Sequence, residues 1–332
     1  MLNGATILIT GGTGSFGKMF VKSVFGRFQP KKVIIYSRDE YKQFTMRQAN
    51  QAIDDRMRYF IGDVRDAERL ARAFDGVDFV VHAAALKQVP ACEYNPFEAV
   101  KTNVLGAQNV ANVAIDRGVK KVVALSTDKA VNPINLYGAT KLASDKLFIA
   151  ANAYSGVHAT TFSVVRYGNV AGSRGSVIPF FKMLMDKGEC ELPITDARMT
   201  RFWITLDQAV DLVFKALEVS KGGETYISKI PSFKIADLAE AMTGRKPTRV
   251  VGIREGEKLH EVMITEYDSF HTFEYEQHYI IYPNFDWWNF EHHFTPGGTK
   301  VEEFFRYASD NNNSWLSVDE IKKRLKQIEI VY

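Results

Sequence analysis

Tyr137 and Lys141, in the run Tyr-Gly-Ala-Thr-Lys, stand four residues apart in this 332-residue chain. On a helix, positions i and i+4 lie one above the other, so a phenol and an ammonium would share one face. A tyrosine with a pKa of about 10 is a poor base at neutral pH. A neighbouring ammonium stabilises the phenolate and lowers that value. The pair then suits taking a proton from an alcohol while hydride leaves its carbon. Alone, this spacing is common on ordinary helices, so its weight depends on what else the chain carries.

Near the start, Thr10-Gly11-Gly12-Thr13-Gly14-Ser15-Phe16-Gly17 follows an apolar run and opens a helical pattern. Glycines at 11, 14 and 17 let backbone approach a pyrophosphate whose charge sits at a helix N-terminus. The reading is a nicotinamide dinucleotide site, whose positive ring would assist Tyr137. The second apolar run ends at Ser37-Arg38, followed by Asp39-Glu40 and Lys42, where an NAD enzyme commonly carries an acid for the ribose hydroxyls. A hydroxyl and a cation fit a 2′-phosphate and favour NADP; the plainer role for Arg38 is pairing with a surface acid. Gly62-Asp63-Val64 is placed to hold the adenine edge, and Ala83-Ala84-Ala85 offers a ledge of small residues for the rest of the cofactor.

These groups need a scaffold. Candidate strands are Thr6–Ile9, Val33–Tyr36, Tyr59–Ile61, Phe79–His82, Val122–Leu125 and Phe162–Val165. Between the first two, Phe16, Phe20 and Val24 recur at helical spacing, and residues 99–117 and 137–154 read as long helices. Strand and helix in alternation predict an α/β fold with a doubly wound parallel sheet of Rossmann type. After Tyr167 the pattern loosens into a smaller mixed region. The expected division is a dinucleotide-binding domain over 1–168, with 204–230 returning to it, and a substrate domain over 169–203 and 231–332.

Composition narrows the alternatives. Hydrophobic residues at 46% and charged residues at 24% suit a globular core. Forty-two basic against 39 acidic side chains leave a net charge of +3 with no basic block, so nucleic acid is not an expected partner. Two cysteines, Cys92 and Cys190, are too few for a disulfide framework or a four-thiolate metal site, and no metal is expected. The start carries no leader pattern, and Val77–Leu86 is far shorter than the ~20 residues that span a bilayer. A cytoplasmic protein without membrane contact is expected. The aromatic and His-rich stretch from Phe270 to Phe305 reads as packing or subunit contact, since its histidines lack ligand spacing.

The chain also carries His82-Ala-Ala-Ala-Leu-Lys87, Ser126-Thr-Asp-Lys-Ala130, Asn132-Pro-Ile-Asn-Leu-Tyr-Gly-Ala-Thr-Lys141 and Arg166-Tyr-Gly-Asn-Val170. With the glycine turn, these motifs resemble the extended short-chain dehydrogenase/reductases over nearly the whole length. Within them the likeness is to the C5-inverting 4,6-dehydratases that act on UDP-N-acetylglucosamine and begin pseudaminic acid synthesis. Asp128-Lys129 carries that distinction, because relatives that retain C5 typically have Asp-Glu and epimerases lack the pair. The implied chemistry oxidises C4, which makes the C5 hydrogen acidic; water is then lost across C5 and C6, and hydride returns to C6. It needs two acid/base groups beside Tyr137. Lys129, with a depressed pKa, is assigned as C5 base and Asp128 as the acid toward the C6 hydroxyl; the plain alternative is a local ion pair.

The resemblance further implies a cofactor shell of Gly11, Thr13, Gly14, Ser15, Phe16, Gly17, Ser37, Arg38, Asp39, Glu40, Lys42, Asp63, Val64, Ala83, Lys87, Tyr137 and Lys141. It implies substrate contacts at Lys87, Thr127, Lys129, Asn169, Arg174, Val177, Thr195, Arg254 and Glu257, and a homo-oligomer, expected to be a hexamer. The turn Arg254-Glu-Gly-Glu-Lys258 departs from the family's Arg-Pro-Gly-Glu-Lys at Glu255, and Gln88 replaces a frequent histidine. A UDP-hexose 4-epimerase would use Tyr137 and Lys141 without needing Asp128 and Lys129. A scaffold that binds NADP without turnover would need neither pair.

Overall fold

Every predicted strand forms, with ends within two residues of those expected. In the computed structural model, which describes residues 1–189 and 191–328, they are β1 (Thr6–Thr10), β2 (Lys32–Ser37), β3 (Met57–Ile61), β4 (Phe79–His82), β5 (Lys121–Thr127) and β6 (Thr161–Tyr167). They lie parallel in the order β3-β2-β1-β4-β5-β6. The order reverses between β1 and β4, and the carboxyl ends there open a crevice for ligand. Cys190 lies outside the described residues; Cys92 is buried as a free thiol.

The continuous apolar runs are explained by cover on both faces of the sheet. Val33 and Ile35 of β2 pack with Phe20 and Val24 of helix α1 (Ser15–Arg27). Ile34 and Tyr36, pointing the other way, pack with Leu70, Phe74 and Val110. Alternation along one strand thus feeds two separate cores.

The predicted helix over 99–117 is not continuous. It runs as Pro96–Val100, a wider π-type turn at Lys101–Leu105, and Gly106–Asp116. The buried Asn103 sits in that turn. Its Oδ1 accepts the Leu86 N–H (2.8 Å), while its Nδ2 donates to the Leu86 carbonyl (2.9 Å) and to Thr140 Oγ1 (3.0 Å). Composition and 3.6-residue spacing do not register a single inserted residue of this kind.

The predicted boundary for the second domain needs correction. Strand Thr225–Ser228 does extend the sheet in parallel beside β6. Strands His278–Ile281, Thr272–Glu274 and Thr299–Lys300, assigned above to a separate domain, continue the same sheet antiparallel. Their aromatic residues supply the reason. Phe273, Tyr282, Trp288, Phe290 and Phe294 pack ring against ring, and Trp288 Nε1 donates to the Gly222 carbonyl (2.7 Å). What remains apart is a smaller core of Ile178, Phe181, Trp203, Leu238 and Ile321, which joins the helices Val177–Asp186, Ile235–Thr243 and Val318–Leu325 over the sheet's carboxyl edge. Among the described residues, no helix is long and apolar enough to cross a membrane.

Candidate active site

The glycine turn joins β1 to α1 at the crevice. Gly11 adopts φ +65°, and a Cβ on it would lie 2.9 Å from the Ala83 carbonyl oxygen and the Ala84 backbone. A Cβ on Gly17 would run into the backbone of Gly12. Gly14 caps α1 with no side chain to accept its first N–H groups, which leaves the helix's positive end open to an anion. A dinucleotide's pyrophosphate fits this cradle. Gly11→Ala is therefore expected to cost about 1–3 kcal/mol through the left-handed backbone alone, and to weaken dinucleotide binding, measured by thermal melting and cofactor titration.

Around the adenosine end, Ser37 closes β2, and Arg38 is half exposed at 3.6 Å from Asp63. Asp39 caps helix α2 (Glu40–Ala49), accepting the Lys42 N–H (2.9 Å) and pairing with Lys42 Nζ (2.5 Å). The two side chains thereby hold each other. Glu40 is exposed and is not part of the cavity lining.

The chemical end is built where β5 stops. Thr127 leads into a tight turn at Asp128–Ala130, and Asn135 caps the helix Leu136–Tyr154 by accepting the Gly138 N–H (2.8 Å). A Cβ on Gly138 would collide with the Lys129 carbonyl oxygen, so this helix begins hard against the turn. That close approach sets Tyr137 beside Thr127 and Lys129. Burial pushes the Tyr137 phenol up to about 12, against the lowering influence of the Lys129 charge and a hydrogen bond with the Thr127 hydroxyl. The expected lowering is thus not achieved by the protein alone. Lys141 is 3% exposed, and burial holds its ammonium below the usual lysine range, opposed by Asp145 one turn on. Asp145 in turn accepts a 2.5 Å bond from the Ser126 hydroxyl.

Lys129 is the hub. Its Nζ lies 3.1 Å from Asp128 Oδ1, 3.0 Å from Asn169 Oδ1 and 3.4 Å from Glu261 Oε1. Burial disfavours the ammonium, but the Asp128 and Glu261 carboxylates outweigh it and raise the pKa above the ordinary value. The expected depression is reversed here. Asp128 is fully buried and lies beneath the cavity wall; Thr127 Oγ1 donates to its Oδ1 (2.9 Å), while its Oδ2 has no hydrogen-bond partner. Burial and the nearby Glu261 raise its carboxyl, against the Lys129 charge.

Residues 7–283 match a family described as polysaccharide biosynthesis protein. An inverting UDP-N-acetylglucosamine 4,6-dehydratase of Campylobacter jejuni is 56% identical over 97% of this chain and 97% of its own. The chain belongs to the extended short-chain dehydrogenase/reductases. A UDP-glucose 4-epimerase of Rickettsia canadensis from the same family is 41% identical over 98% of this chain and 96% of its own. Among solved structures, Pen from Bacillus thuringiensis superposes with a TM-score of 0.90 at 38% identity, covering 100% of both chains. DesIV, a dTDP-glucose 4,6-dehydratase from Streptomyces venezuelae with NAD and TYD bound, gives 0.67 at 25% identity over 76% of this chain and 86% of that one.

In this extended dehydrogenase/reductase a single cavity of about 980 Å³ joins both ends of the site. Of the residues named from sequence, Glu40 and Asp128 alone are absent from its wall. Lys87, Thr127, Asn169, Arg174, Val177, Thr195, Arg254 and Glu257 converge on its far half, and Lys87 Nζ donates to the Arg174 carbonyl (3.0 Å). Sequence reasoning missed Glu261 and the anchoring part of Lys258. Lys258 Nζ donates to the Val131 carbonyl (2.5 Å) and Asn135 Nδ2 to the Gly256 carbonyl (2.7 Å), so the 254–261 segment is pinned to the turn that carries Lys129. The one signal in the sequence was an acid three residues beyond the Arg254–Lys258 motif.

Proposed function

We propose that this chain is an inverting UDP-N-acetylglucosamine 4,6-dehydratase. It forms UDP-2-acetamido-2,6-dideoxy-β-L-arabino-hex-4-ulose, in the first step of pseudaminic acid-type synthesis. The observation that carries the reading is the contact of buried Asp128 with Lys129, which lines the cavity beside Tyr137, in a chain 56% identical over 97% of its length to such an enzyme. A 4-epimerase has no use for a second acid/base pair at that place.

NADP is the proposed cofactor, since the adenosine end offers Ser37, Arg38 and Lys42 while Asp39 is occupied by the helix cap. When bound, it would supply a reversible hydride carrier between C4 and C6 and a positive charge beside Tyr137. Tyr137 takes the C4 hydroxyl proton, with Lys141 below it on the helix. The Lys129 ammonium passes a proton across 3.1 Å to Asp128, giving amine and carboxylic acid with no change in net charge. The amine removes the C5 proton. The acid reaches the C6 hydroxyl through Thr127, whose hydroxyl lies between Asp128 and the cavity. Solvent then protonates C5 on the opposite face, setting the L-arabino configuration, and Tyr137 releases the C4 hydroxyl proton to solvent, which restores every group. Lys87, Arg174 and Arg254 are the proposed cations for the UDP pyrophosphate. The active form is proposed to be a homo-oligomer, with a hexamer expected.

The decisive experiment incubates the protein with UDP-N-acetylglucosamine in deuterated water and follows mass and proton NMR. Loss of one water, deuterium at C5 and L-arabino couplings support the dehydratase; a C4 epimer of unchanged mass replaces it with the epimerase. For the cofactor, Arg38→Ala is expected to shift the preference for NADP over NAD by about tenfold or more, equivalent to about 1.4 kcal/mol, in parallel titrations. An unchanged ratio would return Arg38 to a surface pair with Asp63.

A further inference from the structure

Glu261 is a third buried carboxyl at the reaction centre, and the steps above leave it unused. Its backbone is clamped by Ser309: the Glu261 N–H donates to Ser309 Oγ (2.9 Å), and the Ser309 N–H donates to the Glu261 carbonyl (2.8 Å). The side chain, on a residue only 1% exposed, is aimed at two cations. Its Oε1 lies 3.4 Å from Lys129 Nζ and 3.5 Å from Arg201 Nε, and its Oε2 has no hydrogen-bond partner. Arg201 cannot take part in proton transfer and is committed elsewhere, donating to the carbonyls of Thr200, Lys258 and Leu259. Of the two cations within ion-pair distance of Glu261, only Lys129 can give up a proton; Lys258 is a third, more distant charge, held by the Val131 carbonyl.

We propose that Glu261 is a positioning residue for the C5 base: it holds Lys129 as an ammonium against Asp128, so that Lys129 loses its proton to Asp128 and to nothing else. This rests on the dehydratase reading. Its consequence is coupling, because amine and acid then appear together and C5 deprotonation is tied to departure of the C6 hydroxyl. The charged and titratable groups facing Lys129 come from every side: Asp128 on its own turn, Glu261 and Lys258 from the 254–261 segment, Arg201 from the strand Thr200–Phe202, Lys87 from the crevice and Tyr137 from the helix. Removing the Glu261 charge widens the surplus of cations and makes the Lys129 ammonium easier to deprotonate. An opposite charge at this range moves such a midpoint by about one to three units.

The test follows deuterium wash-in at C5 of the isolated 4-keto product, against pD, with cofactor-loaded enzyme. In Glu261→Gln the midpoint for exchange is expected about one to three pD units lower than in the parent, with exchange outrunning water loss at neutral pD. Glu261→Asp restores the parent midpoint. Lys258→Met, which removes a like charge near Lys129, moves it the other way and keeps the idea open to refutation if Glu261→Gln does not fold. Equal midpoints, with exchange slowed uniformly at every pD, would make Glu261 merely structural. A parent enzyme that yields no 4-keto product overturns the dehydratase reading itself; normal turnover with unshifted midpoints overturns only this inference.

Discussion

Tyr137→Phe is expected to lower turnover of UDP-N-acetylglucosamine by about 10²–10⁴-fold, measured by mass spectrometry of the sugar nucleotide. The substitution deletes one oxygen from a half-buried ring and leaves the Asn135 cap, the helix Leu136–Tyr154 and the glycine turn untouched. Folding and dinucleotide affinity should stay near those of the parent, so the loss falls on chemistry. The whole sequence waits on C4 oxidation: until C4 is a ketone, the C5 hydrogen is not acidic and neither Asp128 nor Lys129 has a proton to move. Retention of activity within tenfold of the parent would remove Tyr137 from the proposed mechanism.

Asp128→Asn separates the two halves of the reaction. A carboxamide has nearly the carboxyl's shape and can still accept from Thr127 and Lys129, but it cannot deliver a proton to a leaving hydroxyl. Water loss is expected to fall by about 10²-fold or more, while proton removal by Tyr137 and hydride transfer from C4 to the cofactor continue. The near-ultraviolet absorbance of reduced nicotinamide should then rise toward one equivalent per site and stay there. In the parent, where hydride is returned within each cycle, that signal remains small. Neutralising Asp128 removes its desolvation cost but leaves the Lys129 ammonium with Glu261 as its remaining close carboxylate, so some loss of stability is expected and thermal melting is read alongside activity. Normal water loss in this variant would reduce Asp128 to an ion-pair partner of Lys129.

Much of the site was legible in the sequence because local rules determine it. Glycines at 11, 14 and 17 are required where backbone must pass close to backbone, and Tyr137 and Lys141 share a face because the helix has its period. Strand runs such as Val33-Ile34-Ile35 report burial on both sides without any knowledge of the partners. What was not legible depends on contacts between distant segments. The Lys129 charge state turns on Glu261, which lies 132 positions later and arrives through a clamp to Ser309. The π-type turn at Lys101–Leu105 answers to Leu86 and Thr140, not to its own helix pattern. Glu40 stands apart from the cavity lining for a simpler reason. One residue decides whether an acid after β2 caps the next helix, as Asp39 does, or points outward from its first turn. The pairing of the 272–281 hairpin was hidden because aromatic packing and short antiparallel strands leave little periodic signal.

That hairpin constrains how ligands come and go. Strand His278–Ile281 is laddered to Thr225–Ser228, which is laddered to β6, so the hairpin is stitched to the Rossmann half through main-chain bonds, whereas the smaller core of Ile178, Phe181, Trp203, Leu238 and Ile321 stands outside this ladder. A motion that swung the hairpin away from β6 would tear this ladder and strand its amide and carbonyl groups away from partners. Movement that opens the cavity is left to the smaller core and the rim, where Lys87 meets the Arg174 carbonyl and Asn135 meets Gly256. The enzyme is thus a fixed vessel with a movable lip, and differences in substrate choice among its relatives should map to the lip and not to the vessel.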